Sequence, residues 1–206
     1  MQALALWLTV GALQLWTAVH GGPQQQRFVV PDVKWSLHKI QNFAWENCGP
    51  PSEPGVIKSL SVSPDPIAVP GDVTVSVSVA NTIIFTAPLK ADVTLEKKLG
   101  DIWIKVPCVD QLGSCIYDDL CIFLDGFFPP GQTCPEPLLT YGIPCHCPFK
   151  AGSYSLPSSE FFIPNMDLPS FLTNGDYRTR VVLSNGDQEL ACSKVSFSLQ
   201  SENWWL

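Results

Sequence analysis

An all-β fold, a single domain of about eight antiparallel strands crosslinked by disulfides, is what this sequence predicts. Strict alternation announces the strands, most clearly where Val73, Val75, Val77 and Val79 are separated by Thr74, Ser76 and Ser78. Nineteen prolines in 206 residues oppose long helices, because proline lacks the amide donor and its ring clashes with the preceding turn. Eight cysteines behind an apolar leader imply an oxidising route and four bridges.

The leader comes first. Met1 to Val19 carries no charged side chain and reads as an apolar run broken by Thr9, Gly11, Gln14 and Thr17. It falls short of the ~20 apolar residues a spanning helix needs. Small residues at Ala18, Gly21 and Gly22 offer cleavage sites, so residues 1–21 read as a signal peptide. The competing reading, a membrane anchor, lacks a basic flank. Residues 22–44 show little periodicity and read as an N-terminal arm, residues 45–200 as the folded domain, and residues 201–206 as a tail.

Alternation sets in after the Pro/Gly-rich stretch Gly49–Gly55. Val56–Val62, Val73–Val79, Ala91–Leu95 and Ile102–Val106 read as strands, with Gly100-Asp101 as the hairpin turn between the last two. One short helix is predicted next, capped by Ser114, with Asp118 and Asp119 early and Ile116, Leu120, Phe123 and Leu124 at helical spacing. The two aspartates point different ways on such a helix and read as solvated. Pro129 to Pro148 is too rich in Pro, Gly and Cys for regular structure, so bridges must hold it. Ser153–Leu156, Glu160–Ile163, Tyr177–Leu183 and Glu189–Leu199 return to strands. The last two flank Asn185-Gly186, whose residue types tolerate the positive φ of tight hairpins. The pattern fits a sandwich or an open cup.

Charge and motifs exclude whole classes of function. A net charge of −7 speaks against nucleic acid, whose phosphates demand basic patches. There is no G-x-S-x-G elbow, and beyond the leader the only histidines are His38 and His146. No nucleophile–base pair stands out, so the chain does not read as an enzyme and no cofactor is expected. Cys145-His146-Cys147 invites a zinc reading, but zinc sites use paired half-sites and no CxxC occurs. Cys48, Cys108, Cys115, Cys121, Cys134, Cys145, Cys147 and Cys192 therefore read as disulfides, with 105 conceivable pairings.

Specific strings go further than pattern. Cys134 to Lys150, CPEPLLTYGIPCHCPFK, continues into GSYSLPSSEF at Gly152–Phe161; WENC, SPDPIAVPG, PLKADVTLEKK and WIKVPC precede it, and DLPSFLTNGDYR at Asp167–Arg178 follows. From Trp45 to Leu199 the chain resembles the ganglioside GM2 activator family. The resemblance implies a β-cup with an apolar lipid cavity and the pairs Cys48–Cys192, Cys108–Cys115, Cys121–Cys147 and Cys134–Cys145. It further implies a lysosomal or secreted protein that extracts gangliosides in reversible contact with membranes. Such a protein presents the headgroup to β-hexosaminidase A, as an activator in sphingolipid catabolism. The chain departs from the family in lacking any N-x-S/T sequon, in carrying Phe171 where relatives have Trp, and in its longer arm.

Phe127-Phe128-Pro129-Pro130 and Leu168-Pro169-Ser170-Phe171-Leu172 are too apolar for ordinary connections. They either pack on neighbouring strands or form lips that enter a bilayer and admit lipid. Trp103 either lines the cup or its rim, or packs in the core. The Trp204-Trp205-Leu206 tail sits at a membrane interface or is an unconstrained terminus. Two other functional classes remain open, a general lipid-transfer or lipid-recognition module with no hydrolase partner and a small secreted hydrolase with weak phospholipase activity.

Overall fold

Ten strands and one short helix make up residues 43–165 and 170–201, the part of the chain that the computed structural model describes. The predicted signal peptide, nearly all of the predicted arm, Leu168 and the Trp204-Trp205-Leu206 tail lie outside those residues. The smaller sheet has the order β2 (Gly55–Ser63), β4 (Gly71–Asn81), β8 (Gly152–Ile163), all antiparallel. The larger runs β1 (Ala44–Asn47), β10 (Gln188–Ser201), β9 (Gly175–Asn185), β5 (Lys90–Leu99), β6 (Ile102–Lys105). Two short strands complete its edges. β3 (Ile67–Val69) pairs in parallel with β10 beyond the end of β1, and β7 (Ile116–Tyr117) pairs with β5 ahead of β6. Short strands of this kind leave little free edge for another chain to pair with.

Alternation in β4 does what the sequence predicts. Val75, Val77 and Val79 lie opposite Val62, Leu60 and Ile57 of β2, and Val77 and Val79 also oppose Leu156 and Tyr154 of β8. Directly opposed residues share a face, so one side of the sheet is aliphatic. On the other side hydroxyls pair across strands, Ser61 with Ser76 at 2.6 Å and Ser78 with Ser155 at 2.9 Å. The predicted strands Ser153–Leu156 and Glu160–Ile163 are two halves of β8. A register shift between the pairs Val75–Ser159 and Val77–Leu156 absorbs the proline between them, Pro157, on an edge strand that tolerates one. β1, β3 and β7 span only two to four residues, too few for alternation to reveal.

The helix α1 (Leu120–Phe127) begins later than predicted, and Ser114 does not cap it. Asp119 does: its Oδ1 accepts from Cys121 N at 2.9 Å and from Leu89 N at 3.1 Å. Asp119 is therefore a structural joint rather than a solvated carboxylate, while Asp118 is exposed. Ile116, read as helical, and its neighbour Tyr117 form β7, paired to β5. Ser114 Oγ instead accepts from Leu95 N and donates to Leu95 O, both at 3.0 Å.

Both hairpins carry glycine at the first position of a two-residue loop, Gly100 at φ 61° and Gly186 at φ 56°. The second turn is thus Gly186-Asp187, one residue on from the predicted pair, and Asn185 closes the ladder opposite Gln188. Gly113 is more constrained. At φ 103° it sits where a Cβ would overlap the Pro107 carbonyl oxygen. Gly113→Ala is expected to cost more than about 1 kcal/mol, since an alanine cannot adopt the conformation without strain. A urea melt showing no loss would refute that account of the loop.

Few side chains are completely buried. Leu89, Leu190 and Cys192 are the largest of them among the described residues. Leu89 and Leu190 cluster with Phe85 and Cys121, flanked by Leu120, Phe149 and Leu183. Away from this cluster the aliphatic faces stay half-buried, Val75, Val77, Val181 and Val195 included. The sheets therefore bound a space instead of filling it.

Candidate ligand cavity

That space is a cavity of about 300 Å³. Its walls come from both sheets, Ile57, Val79 and Tyr154 from the smaller and Val181, Leu183 and Ala191 from the larger. Phe85 and Phe149, joined by reciprocal backbone hydrogen bonds of 2.9 Å, also line it. Ile143 and Pro144 also belong to the lining. They belong to the stretch without regular structure, which Cys121–Cys147 and Cys134–Cys145 hold in place. A segment with no hydrogen-bond ladder of its own thus becomes a cavity wall because its chain ends are crosslinked.

The two sheets are joined beside the cavity. Asn47 of β1 makes a two-way bond with β2, donating to Ile57 O and accepting from Ile57 N, both at 2.9 Å. It pairs there like a strand residue, where Lys58 bulges out of the β2–β4 register. Cys48 follows at once, bridged to Cys192 of β10 and hydrogen-bonded to its carbonyl at 2.9 Å. Asn81 closes the other side, donating to Ile83 O at 2.8 Å and Lys150 O at 2.9 Å. The fourth bridge, Cys108–Cys115, closes a local loop. Together the four use all eight cysteines in the pairs that the resemblance implies. The Cys145-His146-Cys147 run holds no thiolate for a metal, because its cysteines belong to two different bridges. His146 lies 3.5 Å from Asp125 and 3.1 Å from the Gln132 carbonyl, tying the crosslinked loop to α1.

The predicted site residues fall into separate places. Phe171 stands 60% exposed on a helical turn, Ser170–Leu172, and Leu172 beside it is half-buried. Phe127 is 66% exposed at the end of α1, its ring 5.0 Å from that of Phe123. Phe128 is half-buried, and its amide donates to Leu124 O at 2.8 Å to end the helix. Trp103 lies opposite Lys98 on the outer face of the larger sheet, with the Arg178 guanidinium 4.6 Å from its ring. That face carries ion pairs, Arg178–Glu96 and Lys194–Glu46, and the Arg178 bond holds the Glu96 carboxyl below its ordinary pKa. Trp103 is not among the cavity-lining residues. Tyr177 on the inner face stacks on Phe197 at 5.6 Å, and burial pushes its phenol up to about 12.

Glu53, just before β2, is a buried carboxyl. Burial first, and then the neighbouring Glu189, hold its pKa above the usual carboxylate value, while the Cys192 backbone and Arg180 act the other way. A raised folded pKa gives stability that is complete below the unfolded value of about 4.5 and is lost as pH rises through the folded one. Glu53→Gln is therefore expected to raise Tm at pH 7 and to leave it nearly unchanged at pH 4. An equal shift at both pH values would contradict this.

Two sheets around an apolar cavity, fastened by disulfides, define a lipid-binding β-cup. Residues 42–199 match the ML domain family. The ganglioside GM2 activator of Mus musculus is 51% identical over 164 residues, 80% of this chain and 85% of that protein. That of Macaca fascicularis is also 51% identical over 164 residues, covering 80% and 86%. The chain thus belongs to the ML-domain family, in its ganglioside GM2 activator branch. Its relatives are named as activators, not as enzymes. Among solved structures, a Niemann-Pick type C2 protein from Japanese carpenter ant is similar with a TM-score of 0.39 and 17% identity, over 76% of this chain and 99% of that one. Chicken MD-1 complexed with lipid IVa is similar with a TM-score of 0.35 and 13% identity, over 76% and 88%.

Proposed function

We propose that the protein lifts gangliosides, or closely related glycosphingolipids, out of membranes and presents their sugars to lysosomal β-hexosaminidase A. The observation that carries this reading is the apolar cavity between the sheets, in a chain half-identical to ganglioside GM2 activators. Drawing a two-chain lipid into water exposes some thirty methylenes at ~0.8 kcal/mol each, so on the order of 20 kcal/mol opposes release. A soluble hydrolase binding only the sugar does not recover that sum. An apolar cup does, because it offers the chains a second apolar phase. At about 300 Å³ the cavity is at the small end for ligand sites, so taking up two chains requires the mouth to widen. Four disulfides suit an oxidising route to the lysosome or the cell exterior.

The test is hydrolysis of vesicle-borne ganglioside by β-hexosaminidase A, with and without the protein. The proposal expects sugar release that rises with protein concentration and is absent with protein alone. Lipid transfer without any stimulation would leave a carrier with no hydrolase partner. Release by the protein alone would mark a hydrolase.

A further inference from the structure

We infer that Lys97 is the recognition point for an acidic group, carboxylate or phosphate, on the headgroup of the bound lipid. This rests on the lipid-carrier reading above and adds to it the residue that reads the headgroup's charge. Alternation along β5 puts Ala91, Val93, Leu95 and Lys97 on the inner face, opposite Leu183, Val181, Thr179 and Tyr177 of β9. Ala91 and Val93 thus pair with strand residues that flank and line the cavity, and Lys97 stands two steps further along the same wall, away from the Phe85–Leu190 cluster. A cation continues an otherwise uncharged row.

Lys97 is 9% exposed. Its stem runs past Gly175, where any Cβ would press on Cε, and its Nζ lies 5.5 Å from the centre of the Tyr177 ring. The ammonium donates to the backbone carbonyl of Phe171, a neutral acceptor. Among the described residues the ion pairs of lysine and arginine are Arg178–Glu96 and Lys194–Glu46, and neither supplies Lys97 with a carboxylate. An ammonium has three donors, and a buried cation with neutral partners alone is poorly compensated. Burial accordingly pulls its pKa down. An anionic headgroup whose chains occupy the cavity brings the missing charge to that point of the wall.

The bland alternative is a strut: Lys97 merely holds the turn that bears Phe171. Two variants separate the readings. Lys97→Met removes charge and donor in an apolar shape of similar length. Lys97→Gln removes the charge yet can still donate to the Phe171 carbonyl. Vesicles carry equal amounts of a sialylated glycosphingolipid and its asialo counterpart with identical chains, so that docking is common to both. The acidic-to-neutral ratio of extracted lipid is expected to fall about tenfold in both variants and to recover in Lys97→Arg. Inorganic phosphate at millimolar concentration, having no chains to fill the cavity, is expected to leave the ratio unchanged. An unchanged ratio in Lys97→Gln, or equal loss of both lipids, overturns the assignment and makes Lys97 a strut. Competition by inorganic phosphate overturns it in favour of a free-anion site. If the unmodified protein extracts neither lipid, the carrier reading itself fails, and that result is distinct from the others.

Discussion

Cys48→Ser is expected to remove about 5 kcal/mol of stability, enough to leave most of the protein unfolded at 37 °C. Cys48 and Cys192 are 144 residues apart, so their bridge closes nearly the whole described chain. In the chain-entropy model that loop restricts the unfolded state more than any of the others. The bridge also sits where the sheets meet, next to the Asn47–Ile57 pairing, so losing it loosens the joint between the sheets as well. Cys108–Cys115 spans only seven residues, and its removal is expected to cost about 2.5 kcal/mol. Urea melts of the two single-bridge variants give the comparison. Equal losses would mean that loop length does not govern the bridges' contribution.

Phe171→Asp is expected to cut vesicle binding and lipid extraction by roughly tenfold or more while leaving Tm within a few degrees. The Phe171 side chain is mostly exposed, so an aspartate there remains in water and leaves no buried unpaired charge. What it forfeits is insertion into lipid, worth about 1.5–3 kcal/mol for a fully buried phenylalanine. A net charge of −7 gives the protein no bulk attraction for an anionic bilayer, and salt screens what local lysines add. Apolar contact of a few side chains suits reversible docking without permanent anchoring. A collapse of Tm in this variant would instead make Phe171 part of the core.

Much of this architecture is legible in the sequence, for identifiable reasons. Long half-buried strands such as β4 and β10 betray themselves by period two, because one face meets apolar space and the other water. Short edge strands do not, since two to four residues carry no period. The cap of α1 is misplaced by sequence reasoning because Ser114 and Asp119 are both good caps. Only the fold shows that Ser114 is already engaged with Leu95 across the sheet. Trp103 is read as cup lining, rim or core, yet its pairing with Lys98 and its parity with Lys105 put it on the outer face under Arg178. The same parity rule, applied to PLKADVTLEKK, places Lys97 inward with Ala91, Val93 and Leu95. The signal was there, but a lysine beside Glu96 and Lys98 reads as one more solvated charge. Ile143 and Pro144 carry no signal, since crosslinks and not periodicity bring them to the cavity.

The central claim is that this β-cup carries lipid in its cavity. Transfer of a fluorescent ganglioside between donor and acceptor vesicles tests it most directly. The account predicts a transfer rate proportional to protein concentration, with ganglioside chemically unchanged on arrival. Transfer no faster than the spontaneous rate, or lipid cleaved by the protein alone, would contradict it.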